Sequence, residues 1–179
     1  MKLFLFGTLL TVSSAFIFGK SDDKPVDKPA DTSVSKSCPT DAAPKNLDAF
    51  RIYKNYCYLF NTKRMVYADA EKFCKKHKGT LAMPKEYAEN SFYMDAIDEL
   101  GIEDPLWIGI SDRDTEGEFV YADGTEVTLK KFNFIVNPIL VEVQDCVALE
   151  PSSSLWHRYR CTSTLVTSAR RPFICQFDI

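Results

Sequence analysis

The chain has 179 residues, a length that suits one domain preceded by a leader segment. Its formal net charge at pH 7 is −3, from 22 Lys and Arg against 25 Asp and Glu side chains. This weak acidity argues against nucleic acid as the main partner, because nucleic-acid-binding domains carry an excess of basic side chains.

The first residues are typical of a secretory signal peptide. Met1-Lys2 precedes an apolar run over residues 3–19 that ends in small residues. Ser13 and Ala15 stand at the two positions that signal peptidase reads, so we predict cleavage after Ala15, with Gly19 as the alternative. A membrane anchor is the competing interpretation, but the run is shorter than the ~20 residues that a spanning helix needs. Residues 1–15 therefore predict a secreted, extracellular protein without a membrane span.

Residues 16–37 form a predicted flexible linker. From Lys20 to Ser37 the chain mixes Asp, Lys, Pro, Ser and Thr with almost no large apolar residues. Such a segment buries too little surface to offset the entropy lost on ordering. A spacer is therefore favoured over a binding tail, and we expect the folded domain to span residues 38–179.

The cysteine content indicates a disulfide-stapled domain. The six cysteines predict three disulfides, because an oxidising compartment disfavours free thiols. Spacing alone does not decide which of them pair. No Cys-x-x-Cys motif suggests zinc or redox chemistry. The cysteines are Cys38, Cys57, Cys74, Cys146, Cys161 and Cys175.

The first predicted elements are a hairpin and a helix. Residues 50–60 alternate apolar and polar side chains around Asn55, which predicts a pair of strands. A helix over Met65 to Lys78 follows, capped by Asn61 or Thr62 and ended by Gly79 as a left-handed stop. Its predicted buried face is Val66, Ala70, Phe73, Cys74 and His77.

A second helix is predicted from Lys85 to Leu100, ended by Gly101. Five strands follow it, around a long segment of weak periodicity (residues 125–145) that we expect to be a functional or disordered loop. Two helices followed by a run of strands predict an α+β domain, with Trp107 and Trp156 in its core. The predicted strands are 106–110, 118–121, 146–149, 155–161 and 172–177.

Five short motifs carry a family resemblance, together with an acidic turn (residues 112–117) between two strands. In this order and with these cysteines, residues 38–179 resemble the long form of the C-type lectin-like domain. The resemblance implies the pairs Cys74–Cys175 and Cys146–Cys161, with Cys38–Cys57 as the additional N-terminal bridge. The motifs are Ala70-x-x-x-Cys74, Trp107-Ile108-Gly109, Glu116-Gly117-Glu118-Phe119-Val120-Tyr121, Asp145-Cys146-Val147 and Phe173-Ile174-Cys175.

The resemblance also implies the position of a calcium-dependent sugar site, but the residues at that position differ. The family's ligands are a Glu-Pro-Asn or Gln-Pro-Asp tripeptide, a Glu before Asp-Cys, and a Trp-Asn-Asp tripeptide. Here these positions hold Asn137-Pro138-Ile139, Gln144 and Trp156-His157-Arg158. Asn137 and Gln144 keep an oxygen, but Arg158 places a permanent cation where calcium needs a carboxylate. We therefore expect the usual calcium–sugar site to be absent.

An auxiliary calcium site of the family uses the acidic turn. Asp112, Glu116 and Asp145 match three of its ligands, while the other two positions fall on Leu140 and Gln144. Glu142 is a possible substitute ligand. Two interpretations stay open: one weakly bound calcium ion that steadies the loop, or a solvated acidic turn with no ion.

The segment after Pro151 is basic, and it supplies the predicted ligand contacts. A cationic surface there would suit a sulfated or uronic-acid glycan, because the planar guanidinium matches sulfate and carboxylate groups. A scattered solvated surface is the alternative. The predicted contacts are His157, Arg158, Arg160, Arg170 and Arg171, with Asn137 and Gln144.

The long loop is apolar, which predicts either a packed satellite core or a protein-binding surface. His77 and His157 stand in no nucleophile or zinc pattern, so we predict a binding protein and not an enzyme. Besides glycan binding, a second hypothesis is that the apolar loop makes this domain a protein-, matrix- or mineral-binding module on the same scaffold. The apolar residues are Phe132, Phe134, Ile135, Val136, Ile139, Leu140, Val141 and Val143.

Overall fold

The computed structural model describes residues 38–43, 49–127, 134–135 and 144–179. The predicted signal peptide (1–15) and linker (16–37) lie outside these residues. Within them the fold is α+β, as predicted, with helices α1 (Tyr67–Lys76) and α2 (Tyr87–Glu99) against one sheet. Neither helix is long and apolar enough to cross a membrane. The strands are β1 (Phe50–Tyr53), β2 (Tyr56–Met65), β3 (Thr80–Leu81), β4 (Leu106–Ser111), β5 (Val120–Tyr121), β6 (Phe134–Ile135), β7 (Cys146–Glu150), β8 (Leu155–Tyr159) and β9 (Arg171–Asp178).

The sheet is organised around β9. Its strand order is β1-β2-β9-β4-β7-β8-β6, with β3 also paired to β9 and β5 to β4. β9 runs antiparallel to β2 and parallel to β4, where Trp107 lies opposite Phe173. The elements nearest the start and the end of the domain therefore lie side by side at its centre.

The central strands are buried on both faces, because a helix covers each face. Along β2 and β9, successive side chains enter two different apolar clusters, as the twofold alternation of a strand requires. α1 packs Ala70 and Cys74 into one cluster, while α2 packs Tyr93 and Ile97 into the other. All six residues of β4 are buried, which is typical of a strand that is covered on both faces.

The three disulfides pair as the resemblance implied. Cys74–Cys175 ties α1 to β9, and Cys146–Cys161 ties β7 to the second residue after β8. Cys38–Cys57 ties the start of the described domain to β2. The family's long form of the disulfide framework is therefore present.

The start of α1 differs from the prediction. Asn61 and Thr62 do not cap a helix, because they lie inside β2, which pairs with β9 as far as Met65 opposite Arg171. Val66 is the N-cap residue and provides no side-chain cap. The backbone N–H of Tyr67 instead donates to the carbonyl of Cys161 at 3.3 Å. Strand pairing thus outweighed the local capping preference of the two polar residues.

The role predicted for Gly79 belongs to its neighbour. Lys78 adopts the left-handed conformation, with φ of 64°. The N–H groups of Lys78 and Gly79 donate to Lys75 and Cys74 at 3.0 and 2.9 Å, which completes a Schellman motif. A Cβ at Gly79 would lie 2.4 Å from the Phe177 ring and 2.5 Å from the carbonyl of Gln176. Gly79 is therefore required for close packing of the helix end against β9.

This assignment predicts opposite outcomes for two neighbouring substitutions. Gly79→Ala should lower the free energy of unfolding by about 2 kcal/mol, because the new methyl group overpacks the contact with Phe177. Lys78→Gly should be neutral or stabilising by up to about 1 kcal/mol, because it relieves a left-handed lysine. Urea unfolding of both variants measures the difference. A larger loss for Lys78→Gly than for Gly79→Ala would contradict the assignment.

Candidate functional site

The acidic turn begins where β4 ends. Asp112 follows Ser111 directly, and its Oδ2 accepts a hydrogen bond from the N–H of Gly117 at 3.0 Å. The N–H of Asp112 donates to the carbonyl of Asp145 at 3.0 Å. This contact follows from the pairing of β4 with β7, which places Ser111 opposite Cys146. The fold therefore brings the turn and the residue before Cys146 together.

The guanidinium of Arg158 lies against this turn. Its Nη2 donates to Asp112 Oδ2 at 3.0 Å and to Glu116 Oε1 at 2.8 Å. Its Nε donates to the carbonyl oxygen of Gln144 at 2.7 Å, and its Cζ lies 5.0 Å from the centroid of the Phe119 ring. One side chain on β8 thus contacts the acidic turn, the residue before Asp145, and an aromatic ring below the turn.

Arg158 faces inward because of its position on β8. Side chains alternate along this strand, and Trp156 and Arg158 share the buried face, while His157 and Tyr159 share the other. The Arg158 side chain is 3% exposed and that of Asp112 is 0% exposed, whereas Glu116 is 46% exposed. The prediction that Arg158 lies on an exposed ligand-binding surface therefore needs correction, because carboxylates enclose its charge.

The acidic turn retains more negative charge than Arg158 neutralises. Asp112 Oδ1 and Asp145 Oδ1 are both buried and have no hydrogen-bond partner among the described residues. Burial raises the pKa of Asp112, although the Gly117 N–H and the Arg158 charge both act in the opposite direction. Across the described part of the chain, no group of three or more His, Cys, Asp or Glu side chains has an arrangement that could hold a metal ion.

The remaining arginines of the basic segment divide into two kinds. The Arg171 guanidinium lies 3.7 Å from the centroid of the Tyr159 ring and 5.3 Å from that of Trp107, and burial lowers its pKa. Arg160 and Arg170 are both exposed. The predicted set of four arginines is therefore not one surface: two arginines are held by the domain itself, and two face solvent.

Arg160 and Arg170 stand at the two ends of an ordered connection, the β8–β9 loop (residues 160–170). The N–H of Thr164 donates to the carbonyl of Thr167 at 2.9 Å, and the N–H of Ala169 donates to Ser163 Oγ at 3.0 Å. These hydrogen bonds close the loop on itself, as in a compact Ω-loop.

The tip of the β8–β9 loop carries the feature that the sequence analysis missed. Leu165 and Val166 are 106% and 91% exposed. The available signal was an aliphatic pair within a run of Ser and Thr, with no other large aliphatic or aromatic residue within four positions of it. Such a pair has no buried face to join, so it projects from the surface.

Of the other predicted ligand contacts, the structure describes His157 and Gln144 but not Asn137. His157 is half-buried, with its Nε2 3.4 Å from Ser153 Oγ. Gln144 is half-buried and takes part through its main-chain oxygen, as described for Arg158. Asn137 lies outside the described residues, as do Leu140 and Glu142. The apolar loop also lies outside them, apart from the backbone of β6, which pairs in parallel with β8.

The predicted core tryptophans are confirmed. Trp107 and Trp156 are 0% and 2% exposed. The indole N–H of Trp107 donates to the carbonyl of Met65 at 2.9 Å, and that of Trp156 donates to Asn90 Oδ1 at 2.7 Å. Neither ring offers a face on which a sugar could stack.

Comparison with known proteins gives similar sequences and folds. Collectin-11 of Bos taurus is 34% identical over 122 residues, which are 68% of this chain and 43% of that protein. Lithostathine-1-alpha of Homo sapiens is 30% identical over 129 residues, which are 70% of this chain and 74% of that protein. The chain therefore matches less than half the length of the collectin.

Fold and family comparisons agree with these relatives. The solved structure of human lithostathine superimposes with a TM-score of 0.62 at 26% identity, covering 73% of this chain and 98% of that structure. The family model described as the lectin C-type domain matches residues 63–177, most of the folded region. The chain belongs to the C-type lectin domain family.

Proposed function

We propose that this domain is an extracellular recognition module that binds an anionic glycan, sulfated or rich in uronic acid, without a bridging calcium ion. Members of its family are non-enzymatic binding proteins, some of carbohydrates and some of proteins. The observation that carries the proposal is the pair Arg160 and Arg170, both exposed at the two ends of the ordered β8–β9 loop.

The two arginines flank a contact that joins the two ends of the β8–β9 loop. Arg171 stacks on Tyr159 with 3.7 Å between the guanidinium carbon and the ring centroid. Arg160 and Arg170 are the residues next to this stacked pair, so the same contact anchors both of them. Two exposed guanidinium groups beside one stacked contact suit sulfate or carboxylate groups on a single sugar chain.

The electrostatics of the segment favour an anion. Residues 151–177 contain no Asp or Glu, and they include four arginines and His157. Of the four, Arg158 is neutralised by Asp112 and Glu116, whereas Arg160 and Arg170 have no carboxylate partner among the described residues. An anionic ligand would therefore gain two unneutralised charges, and the attraction would weaken with salt.

Calcium independence is part of the proposal and rests on separate residues. At the positions of the family's calcium–sugar ligands, this chain has Gln144, whose main-chain oxygen is bonded to Arg158, and Arg158 itself. A guanidinium at this place repels a divalent cation, and it already bonds the carboxylates of Asp112 and Glu116.

Removing the two exposed charges should abolish most of the glycan binding. Arg160→Gln/Arg170→Gln should weaken binding to immobilised heparin at 0.1 M salt by about tenfold or more, since each charge-assisted hydrogen bond contributes about 1.5–3 kcal/mol before screening. Surface plasmon resonance with and without chelator measures both the loss and its independence of calcium.

Lys75→Gln/Lys76→Gln is the matched control. It removes the same two charges from the exposed C-terminal end of α1. The N-terminal end of α1 contacts the β8–β9 loop at Cys161, so these lysines lie about 13 Å from that contact at 1.5 Å per residue. Equal losses in both double variants would mean that heparin responds to overall charge, and would overturn the assignment to Arg160 and Arg170.

Replacing Arg171 should destabilise the domain, whereas replacing its neighbour Arg170 should not. Arg171→Gln removes the guanidinium from between Tyr159 and Trp107, and we expect it to lower the free energy of unfolding by about 1–2 kcal/mol. Arg170→Gln should leave stability unchanged within about 0.5 kcal/mol, because the residue is exposed. Thermal unfolding of the two variants tests the division of the arginines, and equal stabilities would contradict it.

A second candidate function is protein binding by the tip of the same loop. Leu165 and Val166 are fully exposed, and the hydrogen bonds between Thr164 and Thr167 hold the turn that presents them. A rigid turn loses little entropy on binding, so two aliphatic side chains could fill an apolar pocket of an extracellular protein.

The two candidate functions separate in one set of variants. Leu165→Ser/Val166→Ser should leave folding and heparin binding unchanged, because both side chains are almost fully exposed. If the tip binds a protein, quantitative pull-down from the extracellular fluid of the source tissue should lose that protein with this variant and keep it with Arg160→Gln/Arg170→Gln. Loss of heparin binding in the tip variant would instead assign the glycan contact to Leu165 and Val166.

A further inference from the structure

We propose that Arg158 is a permanent internal counter-ion that takes the place of a calcium ion in the acidic turn, and that shortening this one side chain uncovers a divalent-cation site. The resemblance left two interpretations of Asp112, Glu116 and Asp145 open, a weakly bound calcium ion or no ion, and the position of the Arg158 guanidinium against the acidic turn favours the second. This inference concerns the stability of the domain and does not rest on the proposed glycan binding.

The guanidinium occupies the position that the ion would need. Nη2 lies 3.0 Å from Asp112 Oδ2 and 2.8 Å from Glu116 Oε1. A calcium ion bonded to both oxygens would lie about 2.3–2.6 Å from each, which is nearly the same point in space. Arg158 and calcium therefore exclude one another, by overlap as well as by charge.

The guanidinium also makes the connections that a bound ion would make. From β8 it reaches the acidic turn through Asp112 and Glu116, and it reaches the residue before Asp145 through the carbonyl of Gln144 at 2.7 Å. It therefore joins three separate parts of the chain through oxygen atoms. A hard cation in an oxygen cage joins them in the same way, but only at sufficient calcium concentration.

The oxygen atoms of Asp112, Glu116, Asp145 and Gln144, here called the cage, include some that Arg158 does not bond. Asp112 Oδ1 and Asp145 Oδ1 are buried without a hydrogen-bond partner among the described residues, and the Asp112 side chain is 0% exposed. Without Arg158, Asp112 Oδ2, Glu116 Oε1 and the carbonyl of Gln144 would border the space that the guanidinium now fills, with Asp145 joined to Asp112 by a backbone hydrogen bond. Calcium takes about six to eight oxygen ligands, and water can complete such a set.

The functional consequence is a domain whose acidic turn does not respond to calcium. A counter-ion on the chain cannot dissociate when calcium is depleted, and it cannot be removed by chelator. The connection between the acidic turn and β8 is thus constant under conditions in which an ion-dependent turn would loosen.

The test compares Arg158→Ala with Arg158→Lys. Arg158→Ala vacates the cage, whereas Arg158→Lys keeps one charge there and serves as the matched control. Thermal unfolding in 5 mM calcium chloride and in chelator, with calorimetric calcium titration, gives the readout. The Tm of the natural protein and of Arg158→Lys should be the same in both buffers. Arg158→Ala should have a lower Tm in chelator and recover by roughly 5 °C or more in calcium.

A double variant tests whether the calcium response of Arg158→Ala comes from the cage. Arg158→Ala/Asp112→Asn should lose the calcium response of Arg158→Ala, because Asp112 is the most buried ligand of the cage. If Arg158→Ala folds only when calcium is present, the proposal holds.

The proposal is overturned if the natural protein binds calcium and gains stability from it, because Arg158 would then not replace the ion. It is also overturned if Arg158→Ala shows no calcium response, or fails to fold in either buffer. None of these outcomes depends on heparin binding, so failure here and failure of the proposed function are distinguishable.

Discussion

The domain depends on the placement of β9 between β2 and β4. This strand pairs with both of them, also pairs with β3, and is bonded to α1 through Cys175. Both apolar clusters include its side chains, with Phe173 and Phe177 on one face and Ile174 on the other. Every surface considered for recognition is attached to this centre: the acidic turn follows β4, a neighbour of β9, and the β8–β9 loop ends where β9 begins. A change that displaced β9 would move both surfaces at once.

The alternation of side chains along β8 separates the roles of residues that are adjacent in sequence. Trp156 and Arg158 point to the buried side, and Arg158 carries its charge into the acidic turn. Tyr159 points to the other side and holds Arg171 by its ring, while its hydroxyl donates to Glu150 at 2.9 Å. Burial, together with that hydrogen bond, raises the pKa of Tyr159 to about 12, so the ring stays neutral beneath the guanidinium. The four arginines of this segment therefore divide into one that is ion-paired inside the domain, one that is stacked on an aromatic ring, and two that are exposed.

Most of the fold could be predicted from the sequence, because apolar periodicity and the motif order determine the helices, the strands and the cysteine pairs. The errors arose where tertiary contacts decided between local alternatives. Asn61 and Thr62 have capping side chains, but the partner strand that extends β2 is more than a hundred residues away. Gly79 looked like a helix stop, and only the approach of Phe177 shows why a glycine is needed there. For the candidate site, a charged residue in a motif reveals that a ligand set has changed. It does not reveal that Asp112 and Glu116 enclose the charge, because that requires the distance between β4 and β8.

The central position of β9 also bears on how the chain is made. Residues 171–178 are synthesised after every other strand of the described sheet, so β2 and β4 cannot pair with their common neighbour until these residues have left the ribosome. Until then the apolar faces of α1 and α2 have an incomplete surface to cover, and Cys74 has no partner. The centre of the sheet is consequently completed last, and Cys74 cannot reach its native partner before Cys175 has been synthesised.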